Sequence, residues 1–269
     1  SVQVFLTNRF MSKLITLVRE QRTLYMAAIG LLIFLGLWQA VISIFGVPIY
    51  LVPSPFDVAE SIKEDYSLLA SSALLTATEA FFGFILGITI GIVVAIAFVY
   101  NKVLEELFYP VAVIIKTIPI IAIAPVLKII LGNGMEPKIV IAGLITFFPV
   151  LVNSVRGFRA VNPQLLELMH ILSASKVEVF RRVRIYSSLP YIFSALKISV
   201  TMSVIGAIVG EWIGSKAGLG YLILMAMYEF NSPRLFATIG LASLIAITGF
   251  SLVSMLEKKL IRWNPGDSF

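Results

Sequence analysis

The sequence predicts an all-α membrane protein with six transmembrane helices and an N-terminal amphipathic helix, and three observations lead to this fold class. The 269 residues are 59% hydrophobic and only 13% charged, with a mean hydropathy of +0.97, far from the composition of soluble domains. Six apolar segments each approach the roughly 20 residues that span a bilayer. Basic residues are concentrated in alternate loops, as expected of a multi-pass protein.

The first stretch, residues 1–23, is predicted to be an amphipathic helix on the membrane surface. Its basic residues, such as Arg9 and Lys13, are interspersed with apolar ones such as Phe10 and Leu14, a pattern typical of interfacial helices. A signal peptide is the competing interpretation. It is disfavoured because the next apolar run is too long and no small-residue cleavage site closes it.

The six apolar segments and the charges between them predict the topology. The segments lie at about 24–45, 71–100, 108–131, 138–156, 190–212 and 235–256. With the N-terminus in the cytoplasm, 14 of the 21 Lys and Arg residues fall on the inner side and 4 on the outer side. The positive-inside rule therefore predicts cytoplasmic N- and C-termini. A transmembrane domain covers 24–256, a cytoplasmic polar loop covers 157–189, and a cytoplasmic tail covers 257–269. The net charge of +6 thus reflects topology and not nucleic-acid binding.

Glycines and prolines distinguish the second and third segments. Gly83, Gly87 and Gly91 recur every four residues in the second segment, which predicts close packing against another helix. The third segment is interrupted by Pro110, Pro119 and Pro125, and prolines break helices. A broken helix in a bilayer is tolerated where it lines a cavity, as at the substrate sites of transporters.

We therefore expect a substrate path along the stretch from Thr117 through Pro119 to Pro125, with a packing kink as the alternative. Asn153 in the fourth segment could face the same space. Glu79 lies inside the second segment, where ionisable groups are expensive and suggest function. It could pair with Lys116 or Lys197, or contact a substrate.

The polar loop (residues 157–189) is predicted to form a helix, a tight turn and a second helix. Asn162 followed by Pro163 is a helix start, and Ser175 with Glu178 fits a capping box. Apolar residues at helical spacing precede the turn at Ser173 and Ala174, namely Leu165, Leu166, Met169 and Leu172. An ordinary loop with basic residues near lipid headgroups is the alternative.

The same loop resembles the EAA loop of ABC-importer permeases at Glu167, Ala174, Ser175, the run 180–184 and the pair 189–190. It departs from the family where Leu168 and Met169 replace two alanines and where Ser173 replaces glycine. Residues 51–55, 132–139 and 205–223 are similar to the nitrate, sulfonate and taurine permease group. Within this group, the sequence most resembles permeases for thiamine-precursor pyrimidines or riboflavin.

The resemblance implies a type I ABC-importer transmembrane domain in the bacterial cytoplasmic (inner) membrane. It implies a homodimer with two ABC ATPase subunits and an extracytoplasmic solute-binding protein. The residues that it implies for ATPase coupling are Glu167, Leu168, Met169, Leu172, Ser173, Ala174, Ser175 and Phe180. Glu211 matches a family glutamate before Trp or Phe, and could face the gate or the dimer seam.

Catalytic and metal functions find no support in the residues. The sequence has no phosphate-binding G-x-x-x-x-G-K-[ST] motif and no Ser/His/Asp arrangement. It has no cysteine and a single histidine, which leaves no histidine-based metal centre. We therefore expect no cofactor in this chain, with ATP and Mg²⁺ bound by the partner subunit. A stand-alone secondary transporter or channel, or a membrane anchor for a signalling complex, are the competing functions.

Overall fold

The protein is described by a computed structural model that covers residues 25, 26 and 28–261. The expected amphipathic helix over 1–23 and residues 262–269 of the expected tail lie outside the described residues. Every regular element within them is helical, and the helices are listed here in chain order: α1 (Ala28–Phe45), α2 (Pro55–Glu64), α3 (Tyr66–Tyr100), α4 (Lys102–Thr117), α5 (Ile120–Leu131), α6 (Glu136–Arg159), α7 (Pro163–Ile171), α8 (Lys176–Val179), α9 (Ile185–Trp212), α10 (Leu219–Tyr228) and α11 (Ser232–Leu260). A π-helical turn, Phe180–Arg184, joins α8 to α9.

The predicted number of spans is confirmed. Five apolar helices of the described chain are long enough to cross a membrane, and the bent pair α4 and α5 provides a sixth candidate span. Most helices extend beyond the predicted apolar segments. For example, α3 begins at Tyr66 and not at residue 71, because a helix continues past the hydrocarbon into its polar flanks.

Helix α6 forms the centre of the bundle, packed between α3 and α9. A Cβ atom on Gly87 of α3 would lie 1.8 Å from Thr146 Oγ1, and one on Gly83 would lie 2.3 Å from Ala142 Cβ. On the opposite side, a Cβ on Gly206 of α9 would lie 2.7 Å from Ala142 Cα. Both neighbours therefore approach α6 so closely that only glycine fits. The packing role predicted for the glycines of the second segment is confirmed.

The third span is broken once and not three times. Helix α4 ends at Thr117 and α5 begins at Ile120, with a bend of 98° between them. Ile118 is extended (φ −69°, ψ 125°), the conformation that a following proline favours. Pro110 and Pro125 lie inside α4 and α5, because neighbouring groups in a membrane helix compensate for the missing hydrogen bond.

The loop before α10 and the start of α11 close one end of the bundle. Helix α10 is apolar but shorter than a membrane span, and it buries Leu222 and Ala226. Arg234 at the start of α11 donates from Nε to Asp65 Oδ2 at 2.7 Å. This ion pair fastens α11 to the junction of α2 and α3.

Candidate coupling loop and membrane-embedded polar sites

The first helix of the polar loop begins where the sequence predicts. The Asn162 side chain accepts a hydrogen bond from the Gln164 backbone N–H at 2.9 Å, and Pro163 occupies the first helical position. Both features satisfy or avoid backbone donors that the first turn of a helix leaves free. The predicted helix start is confirmed.

The turn that ends α7 has the geometry of a Schellman motif. The Ser173 N–H donates to the His170 carbonyl at 2.9 Å, and the Ala174 N–H donates to the Met169 carbonyl at 2.9 Å. Ser173 adopts the left-handed conformation, with φ of +54°. This position usually holds glycine, so the serine makes the turn that glycine would make, at a cost of about 1–3 kcal/mol.

The second helix of the loop starts with the predicted capping box. The Glu178 backbone N–H donates to Ser175 Oγ at 3.3 Å, and the Ser175 backbone N–H donates to Glu178 Oε2 at 2.8 Å. Glu178 precedes the apolar part of the following span. The hydrogen bonds from the Ser175 backbone and hydroxyl lower the pKa of the Glu178 carboxyl. The carboxylate form that the cap requires is therefore favoured at neutral pH.

Phe180 anchors the loop to the bundle instead of facing outwards. Its ring centroid lies 5.4 Å from that of Tyr100, at the end of α3, and 5.2 Å from that of Phe158, in the last turn of α6. Arg184 Nη1 donates to the Phe158 carbonyl oxygen at 2.7 Å. The π-helical turn that contains both residues is thus fixed to the ends of two central helices.

The other residues implied for ATPase coupling lie on or near the surface of the loop. Leu168 is 49% exposed and Leu172 is 66% exposed, and Glu167, Ser173 and Ser175 are also exposed. Met169 and Ala174 are half-buried. Leu165 and Ile171 extend the exposed apolar surface of α7. The loop therefore presents an apolar helix face with no covering element among the described residues.

A cavity of about 410 Å³ lies at the break between α4 and α5. Thr117 and Pro119 line it, together with Phe148 and Pro149 of α6 and Met202 of α9. Lys116 also lines it and places its ammonium group 4.6 Å from the centroid of the Phe148 ring. We call this space the broken-helix cavity; its wall is mostly apolar and carries one cation.

The remaining residues expected along the substrate path lie elsewhere. Pro125 is exposed on α5 and does not line the broken-helix cavity. Asn153 is half-buried, and its side-chain amide donates to the Pro149 carbonyl at 2.8 Å. All four positions remain predicted path residues. Thr117 and Pro119 border the broken-helix cavity, whereas Pro125 and Asn153 do not.

Glu79 is fully buried in α3 and pairs with a lysine other than the two expected from the sequence. Lys138 Nζ lies 3.0 Å from Glu79 Oε1. Lys138 belongs to the first turn of α6 and is itself buried. The two expected partners are engaged otherwise, because Lys116 lies over Phe148 and Lys197 pairs with Glu257 at 2.8 Å.

Glu211 lies next to this ion pair and is buried within the chain. Its side chain is 1% exposed. Thr76 Oγ1 donates to Glu211 Oε1 at 2.6 Å, and the Gly220 N–H at the start of α10 donates to Oε2. The Leu219 N–H donates in turn to Thr76 Oγ1 at 2.8 Å. Glu211 and Thr76 therefore cap the N-terminus of α10.

Sequence reasoning missed Lys138 and Thr76 as members of this buried site. The available signal was the rule that an ion inside a membrane needs a partner, applied to every lysine near the end of an apolar segment. Sequence separation gives no ranking among these lysines, since Lys138 lies 59 positions from Glu79. Only the register of α3 against α6 selects it.

Six apolar spans, one of them broken beside a cavity, together with a folded exposed loop, define a polytopic membrane transport protein. The comparison with known families gives the particular group. Residues 87–262 match the family described as the binding-protein-dependent transport system inner membrane component. The chain belongs to this family, and it is the inner-membrane permease subunit of a binding-protein-dependent ABC transporter. The subunit is not itself catalytic, and the family favours the importer over a stand-alone carrier or channel.

Named relatives align with most of the chain. It is 35% identical to a formylaminopyrimidine transport permease of Halalkalibacterium halodurans, covering 87% of this chain and 93% of the relative. It is 32% identical to a riboflavin transport system permease of Chloroflexus aurantiacus, covering 88% and 89%. A putative aliphatic sulfonates permease of Bacillus subtilis is 27% identical over 86% of this chain and 85% of the relative. The resemblance to the sulfonate, pyrimidine-precursor and riboflavin permeases is confirmed.

Solved structures support the same fold. The methionine ABC transporter MetNI, in an inward-facing conformation, has a chain with a TM-score of 0.61 and 20% identity, covering 71% of this chain and 97% of that chain. An amino acid ABC transporter has a TM-score of 0.58 and 17% identity, covering 74% and 97%. The expected type I importer transmembrane fold is confirmed.

Proposed function

We propose that the polar loop is the surface through which an ATP-hydrolysing partner drives this permease. The observation that carries the proposal is the exposed apolar face of α7, on a helix whose two ends are both fixed by hydrogen bonds. Exposed apolar patches on folded elements mark interaction sites. The coupling residues are those of the exposed loop, Glu167, Leu168, Met169, Leu172, Ser173, Ala174 and Ser175.

In this mechanism Phe180 transmits movement instead of binding the partner. Its ring packs between Tyr100 and Phe158, so a displacement of α7 and α8 reaches the ends of α3 and α6 directly. Packed elements of this kind move as rigid bodies. ATP and Mg²⁺ are bound by the partner, and the polar loop of this chain transmits the partner's movement to the transmembrane helices.

We further propose the assembly that the family implies: two copies of this permease, two ATPase subunits and an extracytoplasmic solute-binding protein. The N- and C-termini and the polar loop lie in the cytoplasm, in accordance with the distribution of basic residues. The solute passes along the interface between the two copies and past the broken-helix cavity. Thr117 and Pro119 border its path.

For the solute we propose a small planar nitrogen heterocycle. Two relatives with at least 32% identity are named as formylaminopyrimidine and riboflavin permeases. The broken-helix cavity suits such a solute, because Phe148 and Met202 offer contacts for a flat ring. The Lys116 ammonium group offers a donor for a ring carbonyl or nitrogen.

Co-purification tests the coupling surface. The tagged permease, expressed together with its ATPase subunit, is captured from mild detergent, and the retained ATPase is quantified. Leu172→Asp is expected to abolish retention, because it places a charge on the apolar face. Gln164→Asp is the matched control, since Gln164 is an exposed polar residue in the first turn of the same helix. Equal retention by the wild type and Leu172→Asp contradicts the proposal.

Uptake in reconstituted vesicles tests the solute class. Labelled hydroxymethylpyrimidine or riboflavin is expected to enter in the presence of ATP and the binding protein, and an alkanesulfonate is not. Uptake of the sulfonate alone contradicts the heterocycle proposal while leaving the coupling surface intact.

A further inference from the structure

The buried carboxyl pair, Glu79 and Glu211, has four carboxyl oxygens, and three of them accept hydrogen bonds from identified donors. Glu79 Oε1 accepts from Lys138 Nζ at 3.0 Å, and Glu211 Oε1 accepts from Thr76 Oγ1 at 2.6 Å. Glu211 Oε2 accepts from the Gly220 N–H. The fourth oxygen, Glu79 Oε2, is buried and has no donor within the described part of the chain. A buried acceptor without a donor is rare in folded proteins and requires an explanation.

Glu211 lies beside Glu79, because Thr76, one helical turn before Glu79 on α3, donates to Glu211 Oε1. Gly210, which precedes Glu211, packs against the backbone of Lys138, the partner of Glu79. An ionised carboxylate can only accept hydrogen bonds, whereas a protonated carboxyl group also donates one. Two ionised carboxylates in contact would repel each other and leave the fourth oxygen unsatisfied. A proton held between them removes both problems.

The surrounding charges lead to the same result. Glu79 is 0% exposed and Glu211 is 1% exposed, and Lys138 of α6 is the cation that contacts Glu79. Lys128 of α5, the next cation along the same crevice, donates instead to the Gly214 carbonyl at 3.5 Å. Helix α10 contributes only backbone N–H groups, worth about half a charge.

With both carboxyl groups ionised, the site would carry an uncompensated negative charge away from water, which is strongly unfavourable. We propose that Glu79 and Glu211 share one bound proton, which makes the pair a proton-binding site between α3, α6, α9 and the start of α10. With that proton, two glutamates and one lysine are together neutral.

The position of the site indicates what the proton holds together. A Cβ atom on Gly218 would lie 2.1 Å from Glu211 Oε1, so the loop that enters α10 fits directly against the carboxyl group. Thr76 and Glu211 hold the first N–H groups of α10, and the shared proton links Glu211 to Glu79 and hence to Lys138. Loss of the proton would place two repelling carboxylates at the joint between α10 and the central bundle.

Infrared spectroscopy of the full-length protein in lipid nanodiscs at neutral pH tests the proposal. The wild type is expected to show the C=O stretch of one protonated carboxylic acid that is lost both in Glu79→Gln and in Glu211→Gln. In each single variant the glutamine amide replaces the proton as donor, and the remaining carboxyl group is ionised. Glu257→Gln is the matched control, because Glu257 is a buried glutamate with its own lysine, Lys197, and is expected to leave this band unchanged.

Three spectroscopic results would overturn the proposal. The band is absent from the wild type, or it is unchanged in both single variants, or it is lost in only one of them. The last result assigns the proton to a single carboxyl group that keeps it without its neighbour.

Thermal unfolding provides a second readout that does not depend on spectroscopy. Each single variant keeps the site neutral and is expected to melt close to the wild type. The double variant Glu79→Gln, Glu211→Gln leaves Lys138 buried without a carboxylate. Its melting temperature is expected to fall by much more than the sum of the decreases in the two single variants. A double variant that melts like the single ones would contradict a shared proton.

Discussion

The polar loop and the buried carboxyl pair use the same chemistry in opposite surroundings. In the loop, Ser175 and Glu178 bond to the backbone at the start of α8, and the carboxylate is exposed. In the bundle, Thr76 and Glu211 bond to the backbone at the start of α10, and both side chains are sealed from solvent. Each set fixes a helix N-terminus with an oxygen acceptor.

The difference in surroundings determines what a lost contact means. At the loop surface, water replaces a missing partner, so a single cap contributes about 0.5–2 kcal/mol. Inside the bundle, no water is available to an orphaned charge, and breaking a buried pair costs about 3–5 kcal/mol. The loop can therefore vary in sequence and still fold, whereas the buried site tolerates only changes that leave it without a net charge.

Lys138→Met is expected to have the largest effect on stability. It leaves Glu79 buried without its cation, and we expect a loss of about 3–5 kcal/mol, measured as a lower melting temperature in detergent. Lys102→Met is the comparison, since the side chains of Lys102 and its partner Glu106 are 83% and 65% exposed and water can solvate the remaining carboxylate. Equal melting temperatures for the two variants would contradict the expected difference between buried and exposed ion pairs. Adding both Glu79→Gln and Glu211→Gln to Lys138→Met leaves the site without charge and should recover part of the loss.

Gly87→Leu tests the packing that brings the buried site together. A Cβ at Gly87 would overlap Thr146 Oγ1, so α3 must move away from α6 and carry Glu79 away from Lys138. We expect a loss of about 1–3 kcal/mol from overpacking, with less folded protein by fluorescence-detected size exclusion. Gly240→Ala is the control, because a Cβ there meets nothing within 4 Å. A well-folded Gly87→Leu protein would show that the close approach is not required.

The sequence predicts local features well because neighbouring residues determine them. Asn162, Ser175 and the glycine spacing of α3 act within one or two helical turns, and each behaves as predicted. The break at Pro119 and the intact helix at Pro125 look alike in sequence. They differ only in what surrounds each proline.

Partners across the bundle are beyond the reach of local patterns. Glu79 is evident from the sequence as an intramembrane charge, but the register of α3 on α6 determines which lysine pairs with it. Glu211 lies beside Glu79 because the end of α9 packs there. The Phe180 ring turns inwards because Tyr100 and Phe158 meet there. The sequence does not show that the end of α3, with Tyr100, lies next to the end of α6, with Phe158.

Ser173 offers a prediction with opposite signs for two substitutions. Ser173→Gly removes the cost of a left-handed side chain and should stabilise the turn by about 1 kcal/mol. Ser173→Val places a β-branched side chain at positive φ and should destabilise it by about 1–3 kcal/mol. Hydrogen exchange over residues 169–179 should slow in the first variant and accelerate in the second. Because the loop is exposed, the melting temperature of the bundle should change little in either.

Lys116→Met is expected to have the smallest effect on the fold and a distinct effect on transport. Lys116 differs both from the exposed carboxylate of the loop and from the buried ion pair. It is exposed and lies over the Phe148 ring. Stability should change by no more than about 0.5 kcal/mol, as at other surface positions. A lost charged hydrogen bond to the solute costs about 1.5–3 kcal/mol, so half-maximal uptake should require at least about tenfold more solute. Lys128→Met is the control, since Lys128 lies outside the broken-helix cavity. Equal uptake curves for the two variants would remove Lys116 from the solute path and leave the apolar wall around Phe148 to recognise the ring.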